Sequence, residues 1–190
     1  KIEKYCQHIN MEIYPFNNNR KLKNVTIDAE FVVVGGGLAG VCASLAAARR
    51  GVQVCLIQDR PVLGGNASSE VRVWALGATS HMGNNNRFSR EGGIIDELMT
   101  ENLHRNREGN PVLFDMVLMD KVFAEKNIRL LLNTAVYNVD TEDSEHDCSE
   151  TQTLPYGSIP PVARRRIKSV TAFCSSSETA YCISGRLFGE

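Results

Sequence analysis

The stretch Phe31-Val32-Val33-Val34-Gly35-Gly36-Gly37-Leu38-Ala39-Gly40 decides how this 190-residue chain folds. Four apolar residues in a row, three of them β-branched, suit a strand covered on both faces in a parallel sheet. The glycines then turn the chain into an Ala-rich segment that reads as a helix to Arg50, with Arg49 and Arg50 complementing the negative end of its dipole and Gly51 as its left-handed stop. A second apolar run, 52–57, follows, so the unit is strand, glycine turn, helix, strand, with a right-handed connection expected. Within Gly35-x-Gly37-x-x-Gly40 each glycine has its own steric task. Gly35 permits the tight turn, Gly37 lets backbone amides approach a pyrophosphate, and Gly40 lets helix and strand pack closely. The orphan amides and positive dipole of the helix start favour an anion there, so a dinucleotide diphosphate is the expected ligand, with a purely structural turn as the alternative.

Composition agrees with a globular α/β chain and narrows the ligands. Hydrophobic residues make up 43% and charged residues 23%, which excludes a disordered polymer or a fibrous repeat. The 21 Lys+Arg nearly cancel the 22 Asp+Glu, so the one-sided basic field that drives phosphate-backbone binding is missing and nucleic acid is not expected as a partner. The longest apolar candidate, 38–48, is interrupted by Gly40 and Ser44 and is too short to span a bilayer, so no membrane partner is expected. Localisation stays open between cytoplasm and periplasm. Cys6, Cys42, Cys55, Cys148, Cys174 and Cys182 form no CxxC pair and fall mostly in apolar segments, as buried reduced thiols would; no metal is expected.

Outward from the βαβ unit, the polar residues 1–28 read as a lead-in and 29–140 as the dinucleotide-binding region. A long glycine-containing stretch, 63–90, holds Val71-Arg72-Val73-Trp74, read as a brief extended piece. Loops of that length are usually functional. The apolar set Ile95, Leu98, Met99 and Leu103 predicts one amphipathic helix, and Val112, Met116, Met119 and Phe123 predict another. Residues 128–139 read as a strand, 141–166 as an acidic and Pro-containing loop insertion, and 167–190 as a β-hairpin that opens a further part of the fold.

Two more segments bear on the ligand. At the end of the second strand, where an acid ordinarily meets an adenosine ribose, stand Gln58, Asp59 and Arg60. Gln58 can bond a hydroxyl through its carbonyl without charge assistance, and Arg60 leaves room for a phosphorylated ribose; the alternative is a solvated strand end. Directly beyond lie Leu63-Gly64-Gly65-Asn66-Ala67-Ser68-Ser69, small residues through which backbone can approach a flat ring. A plain NAD domain has no reason to place them there, so they favour flavin, against a flexible surface loop.

Taken together, Val32 to Gly40, the run Gln58-Asp59-Arg60-Pro61-Val62-Leu63-Gly64-Gly65-Asn66-Ala67-Ser68-Ser69-Glu70-Val71-Arg72, and the later Arg90-Glu91-Gly92-Gly93-Ile94-Ile95-Asp96-Glu97 and Gly109-Asn110-Pro111 resemble the bacterial FAD-dependent oxidoreductases of the glutathione-reductase-like fold. The resemblance covers 29–139 and resumes near Ile167. It implies an α/β fold with a Rossmann-like FAD-binding βαβ unit, a helical insertion and a small antiparallel β section. It further implies FAD as cofactor, held by Gly35, Gly37, Leu38, Ala39 and Gly40 at the pyrophosphate, by Gln58, Asp59 and Arg60 at the ribose, and by Gly64, Gly65, Asn66, Ala67 and Ser68 near the flavin, with Val136 completing the set. A redox enzyme acting on a small-molecule substrate is expected, commonly in bacteria that process polysaccharides. An Ala-Thr-Gly-Asp type motif of related flavoproteins would begin where Leu187-Phe188-Gly189-Glu190 stand, so the domain is expected to be incomplete, to need a C-terminal segment of the same protein, and to bind FAD weakly or not at all alone.

Catalytic residues are harder to read, because the flavin ring carries most of such chemistry. His81 can relay a proton or tether a flavin, or serve only as a loop hydrogen-bonding residue. Arg72, Arg87 and Arg90 can hold a substrate carboxylate or hydroxyls, or stand solvated. Trp74 can cover a ring, though a single Trp is more often core. Two rival readings stay open: an NAD(P)-binding dehydrogenase domain selected by Gln58, Asp59 and Arg60, and a non-catalytic module that keeps the fold.

Overall fold

A computed structural model describes residues 23–75, 91–143, 165–174, 176–177 and 179–187. Six strands form one sheet: β1 (Lys23–Val34), β2 (Val54–Ile57), β3 (Ile128–Leu131), β4 (Thr134–Asp143), β5 (Arg165–Cys174) and β6 (Thr179–Leu187). Their order across the sheet is β3-β2-β1-β6-β5-β4. Strands β3, β2, β1 and β6 are parallel neighbours, whereas β4-β5-β6 is an antiparallel meander. Helix α1 (Leu38–Ala48) connects β1 to β2, and α2 (Gly93–Arg105) and α3 (Pro111–Ala124) lie between β2 and β3.

Strand β1 starts at Lys23, inside the stretch expected as lead-in, and has two partners. It pairs with β6 from Lys23↔Thr179 to Val32↔Leu187, with a register shift between Asp28 and Phe31, and its second half also pairs with β2 from Phe31↔Val54 to Val34↔Ile57. The alternation of side chains then divides the apolar run between two cores. Val33, Val54 and Leu56 face Val41, Leu45, Leu98, Phe114, Leu118 and Val122 of the helices. Val32, Cys55 and Ile57 face Ile27, Ala172 and Ile183 of the meander. Both faces are covered, as the β-branched run requires.

The expected strand over 128–139 is two strands, broken at Asn133, whose φ of 51° turns the chain from β3 into β4. Of the expected insertion 141–166, both ends belong to the ladder, since Thr141↔Ile167 and Asp143↔Arg165 pair; residues 144–164 lie outside the described residues. The expected hairpin is the β5–β6 pair, from Ser169↔Ser184 to Cys174↔Thr179.

Both helices form; the face of α2 keeps Leu98 and Met99 of the predicted set, whereas in α3 only Met119 of the predicted set packs against the core. In α2, Leu98 is buried and Leu103 is 69% exposed. In α3, Val112, Met116 and Phe123 point outward, and the inward face is Phe114, Asp115, Val117, Leu118 and Val122. This helix is apolar nearly all round, so two stripes at three-to-four spacing compete and contacts with other elements choose between them. Its start is well marked: the Asn110 side chain accepts from the Val112 amide at 2.9 Å, and Pro111 opens the first turn. Buried Asn106 braces the preceding turn, accepting from the Asn110 amide at 2.7 Å and donating to the Asn110 carbonyl at 2.7 Å.

An ion-pair network ties the helices together. Arg49 donates to both Glu97 carboxylate oxygens at 2.7 and 2.9 Å and to Glu125 at 2.9 Å, and Lys121 reaches Glu97 at 2.9 Å. The hydrogen bonds from Arg49 and then Lys121 hold the Glu97 carboxyl at about 2, well below its ordinary 4.5. Among the described cysteines Cys55 and Cys174 are buried, Cys42 is half-buried and Cys182 is exposed, which departs from an all-buried set. Burial pushes the Cys55 thiol up to about 11, against a small opposing effect of Arg129. At Cys174 burial acts upward too, but hydrogen bonds from Ser176, Ser177 and Thr134 outweigh it and bring the thiol to about 6.

Two predictions follow from this packing. Because the folded Glu97 pKa is depressed, its stabilisation is complete above the unfolded value of 4.5 and is lost as pH falls toward 2. Thermal melts across that window should fall more steeply for the wild type than for Glu97→Gln. The Ser44 hydroxyl of α1 is buried without a hydrogen-bond partner among the described residues. Ser44→Ala removes that cost and adds helix propensity, so urea unfolding should show a gain of about 1 kcal/mol.

Candidate cofactor site

The site is built where β1 hands the chain to α1. Gly35 takes φ +105°, a left-handed conformation costly for any side chain, and its amide donates to the Ile57 carbonyl at 2.8 Å. The next residue is held from two sides: the Gly36 amide donates to Gln58 Oε1 at 2.8 Å, and the Gly36 carbonyl accepts from the Gly64 amide at 2.8 Å. A Cβ on Gly36 would stand 2.6 Å from a Leu63 methyl, and one on Gly40 would stand 1.9 Å from the Gly35 carbonyl oxygen. Those two glycines answer to the chain's own packing.

Gly37 does not. It caps α1 with φ −65°, open to any residue, and a Cβ there would meet nothing within 4 Å. No side chain caps the helix and no acid occupies its first turn, so the amides that lack an intrahelical partner face the open side with the positive end of the dipole. Leu38 is half-buried against the helical core and Ala39 is exposed.

The second glycine segment lies directly against the first. Gly37 and Gly64 form an isolated parallel bridge, and a Cβ on Gly65 would come within 3.1 Å of Gly37 Cα. Gly65–Ala67 is one 3-10 turn, Asn66 is exposed and Ser68 is buried. The segment then closes on itself: Arg72 takes φ +65°, its amide donates to the Ser68 carbonyl at 2.8 Å, and its side chain donates to the Ser69 carbonyl at 3.0 Å. The expected extended piece at 71–74 is therefore a turn, and Trp74, 81% exposed, is not core. The cause is local: the Asn66 carbonyl takes the Val73 amide and Ser68 takes two more, so none is free for a ladder.

At the end of β2, Gln58 is 5% exposed and its side chain is turned inward, Oε1 to the Gly36 amide and Nε2 donating to the Val62 carbonyl at 3.1 Å. Neither a solvated strand end nor a side chain directed at a ribose describes it. Asp59 and Arg60 are exposed, with Arg60 3.9 Å from Glu70. Val136 is half-buried against the meander core with Ile27, Val32 and Ala172, two residues after Thr134, whose amide donates to the Gln58 carbonyl at 2.9 Å. His81, Arg87 and Arg90 lie outside the described residues. One participant was not foreseen: buried Asp115 of α3, whose Oδ1 accepts from the Ser69 amide at 3.0 Å. A single acid inside Phe114-Asp115-Met116-Val117-Leu118 was the available signal. Among the described residues no three His, Cys, Asp or Glu gather as a metal site, and no helix is long and apolar enough to cross a membrane.

Comparison with known proteins decides the family. The model of the FAD dependent oxidoreductase family matches residues 30–186. This chain belongs to the FAD dependent oxidoreductase family. Over 62 residues it is 37% identical to carotenoid phi-ring synthase of Chlorobaculum tepidum, an alignment that covers 33% of this chain and 9% of that protein. In fold it is similar to Thermovibrio ammonificans THI4, with a TM-score of 0.50 and 13% identity over 83% of this chain and 55% of that one. It is also similar to the Mycobacterium smegmatis Sdh1 complex in the apo form, with a TM-score of 0.53 and 13% identity over 85% of this chain and 34% of that one. The chain thus spans less than a tenth of the curated relative and about a third to about half of these structures.

FAD is the family's cofactor, and the residues present fit its diphosphate: a helix start without acids, an opening at Gly37 that none of the described residues fills, and a second glycine segment alongside. Gly40 should tolerate no side chain. Gly40→Ala forces Cβ into backbone that cannot move aside, so chemical unfolding should show a loss of roughly 3 kcal/mol or more, or no folded protein.

Proposed function

We propose that this chain is the FAD-binding part of an oxidoreductase that exchanges a hydride between flavin and a small organic substrate, carbohydrate-derived in the narrower form the sequence resemblance implies. The observation that carries the reading is Gly37, a glycine that neither backbone conformation nor internal packing requires, placed at the open start of α1. The first-turn amides of Leu38, Ala39 and Gly40 hold the diphosphate. Asp59 and Arg60, exposed at the end of β2, meet the adenosine ribose, while Gln58 keeps the glycine loop in shape for both. The backbone of Gly64, Gly65, Asn66, Ala67 and Ser68 borders the flavin.

When bound, FAD supplies the hydride acceptor, and the protein supplies position and electrostatics. On the substrate side, Arg72, Arg87 and Arg90 are assigned to anchoring and His81 to proton transfer. The described part of that set is Arg72, whose guanidinium is tied to its own turn. The remaining walls of the substrate pocket belong to a further segment of the same protein, in keeping with the share of the matched structures that this chain spans.

A single substitution separates binding from folding. Gly37→Ala should leave unfolding within about 0.5 kcal/mol of wild type, since its Cβ meets nothing, and should weaken FAD binding about tenfold or more by standing in the diphosphate's place. Flavin fluorescence titrations carried to saturation, with melts in parallel, measure both. Unchanged FAD affinity would defeat the reading, and tighter binding of NADH or NADPH than of FAD would replace it with a nicotinamide-dependent dehydrogenase.

A further inference from the structure

The loop that borders the proposed flavin position is not held by the sheet. It follows β2, which ends at Ile57, and besides its bond to Gly36 and its own turn it is held from α3, by residues more than forty positions further along the chain. Two neighbours on one face of that helix do this, three residues apart and so stacked over each other. Leu118 supports Gly64, where a Cβ would come within 3.0 Å of its Cδ1. Asp115, 5% exposed, accepts the Ser69 amide at 3.0 Å. An acid is a costly choice on a face otherwise composed of Phe114, Val117, Leu118 and Val122, and packing alone would favour an apolar residue there.

The hydrogen bond falls at the point where the loop changes direction. Ser69 lies between the Ser68 carbonyl, which accepts the Val71 and Arg72 amides, and its own carbonyl, which accepts the Arg72 guanidinium. Arg72 is left-handed there, a conformation a non-glycine residue holds only when its surroundings impose it. The same loop touches Gly37 through Gly64 and Gly65, so a shift at Ser69 is passed to the diphosphate loop.

We infer that Asp115 is a positioning residue for the coenzyme: through the Ser69 amide it sets the 64–72 loop against the Gly37 loop and so sets FAD affinity. The inference rests on the reading of this site as an FAD site. By linkage, occupancy of the site should in return protect the Ser69 amide from hydrogen exchange.

Asp115→Asn keeps an oxygen that can accept the amide, whereas Asp115→Leu keeps the size and removes the acceptor. With folding verified by circular dichroism, FAD titrations of the chain should give roughly tenfold weaker binding for Asp115→Leu and near-wild-type binding for Asp115→Asn. Exchange at Ser69, followed by NMR, should quicken in Asp115→Leu and should slow on adding FAD in the wild type. Equal FAD affinity in the wild type and Asp115→Leu overturns the positioning role while leaving the FAD reading intact, as does equal weakening by both variants. A wild type that binds no FAD at any concentration, both alone and when extended by the further segment of the same protein, removes the FAD reading and this inference with it. If Asp115→Leu does not fold, Asp115→Asn decides through the wild-type exchange experiment: FAD-dependent protection of Ser69 retained in both supports the role, and its absence in the wild type overturns it.

Discussion

The arrangement depends on how one residue, Gly36, is held through both of its flanking peptides. Its amide donates to Gln58 at the end of β2 and its carbonyl accepts from Gly64 in the following loop, each at 2.8 Å. Strand end, glycine loop and second glycine segment therefore meet at one residue that has no side chain to interfere. With Gly36 restrained on both sides, Gly37 is left as the last residue before α1, and the first-turn amides of that helix have only the open side to serve.

That restraint explains the burial of Gln58. A polar side chain at 5% exposure is expensive unless its hydrogen-bonding groups are met, and here the carbonyl takes a backbone amide and the amide gives to a backbone carbonyl. An ionised acid in the same place could accept but not donate, leaving the Val62 carbonyl without that bond. Glutamine suits an internal brace that must do both, and the exposed work at the strand end passes to Asp59 and Arg60.

The second half of the support comes from the helices. The Arg49, Glu97, Lys121 and Glu125 network joins the end of α1 to α2 and α3, and α3 in turn holds the loop at Gly64 and Ser69. Since these groups are about a quarter to a third exposed, their value lies more in fixing the mutual placement of the helices than in overall stability. The meander, on the opposite face, completes the burial of Val32, Cys55 and Ile57 and gives β1 its second partner.

Periodicity and glycine placement determined a good deal by themselves. A β-branched run followed by three spaced glycines and an Ala-rich segment admits few structures other than strand, turn and helix, because the restrictions act on neighbouring residues. The β5–β6 hairpin was legible for the same local reason. What neighbours could not decide was orientation: α3 carries apolar residues on most of its surface, and its contacts with the strands, the other helices and the Gly64 and Ser69 loop select Phe114, Asp115 and Leu118 over Val112 and Met116 as the inward face. Likewise, Gln58 reads as a ribose contact from its position after the glycine loop, yet it points inward because the Gly36 amide and the Val62 carbonyl, brought within reach by the fold, need partners. Local sterics are written in consecutive residues, whereas the pairing of distant polar groups is settled only when the tertiary structure brings them together.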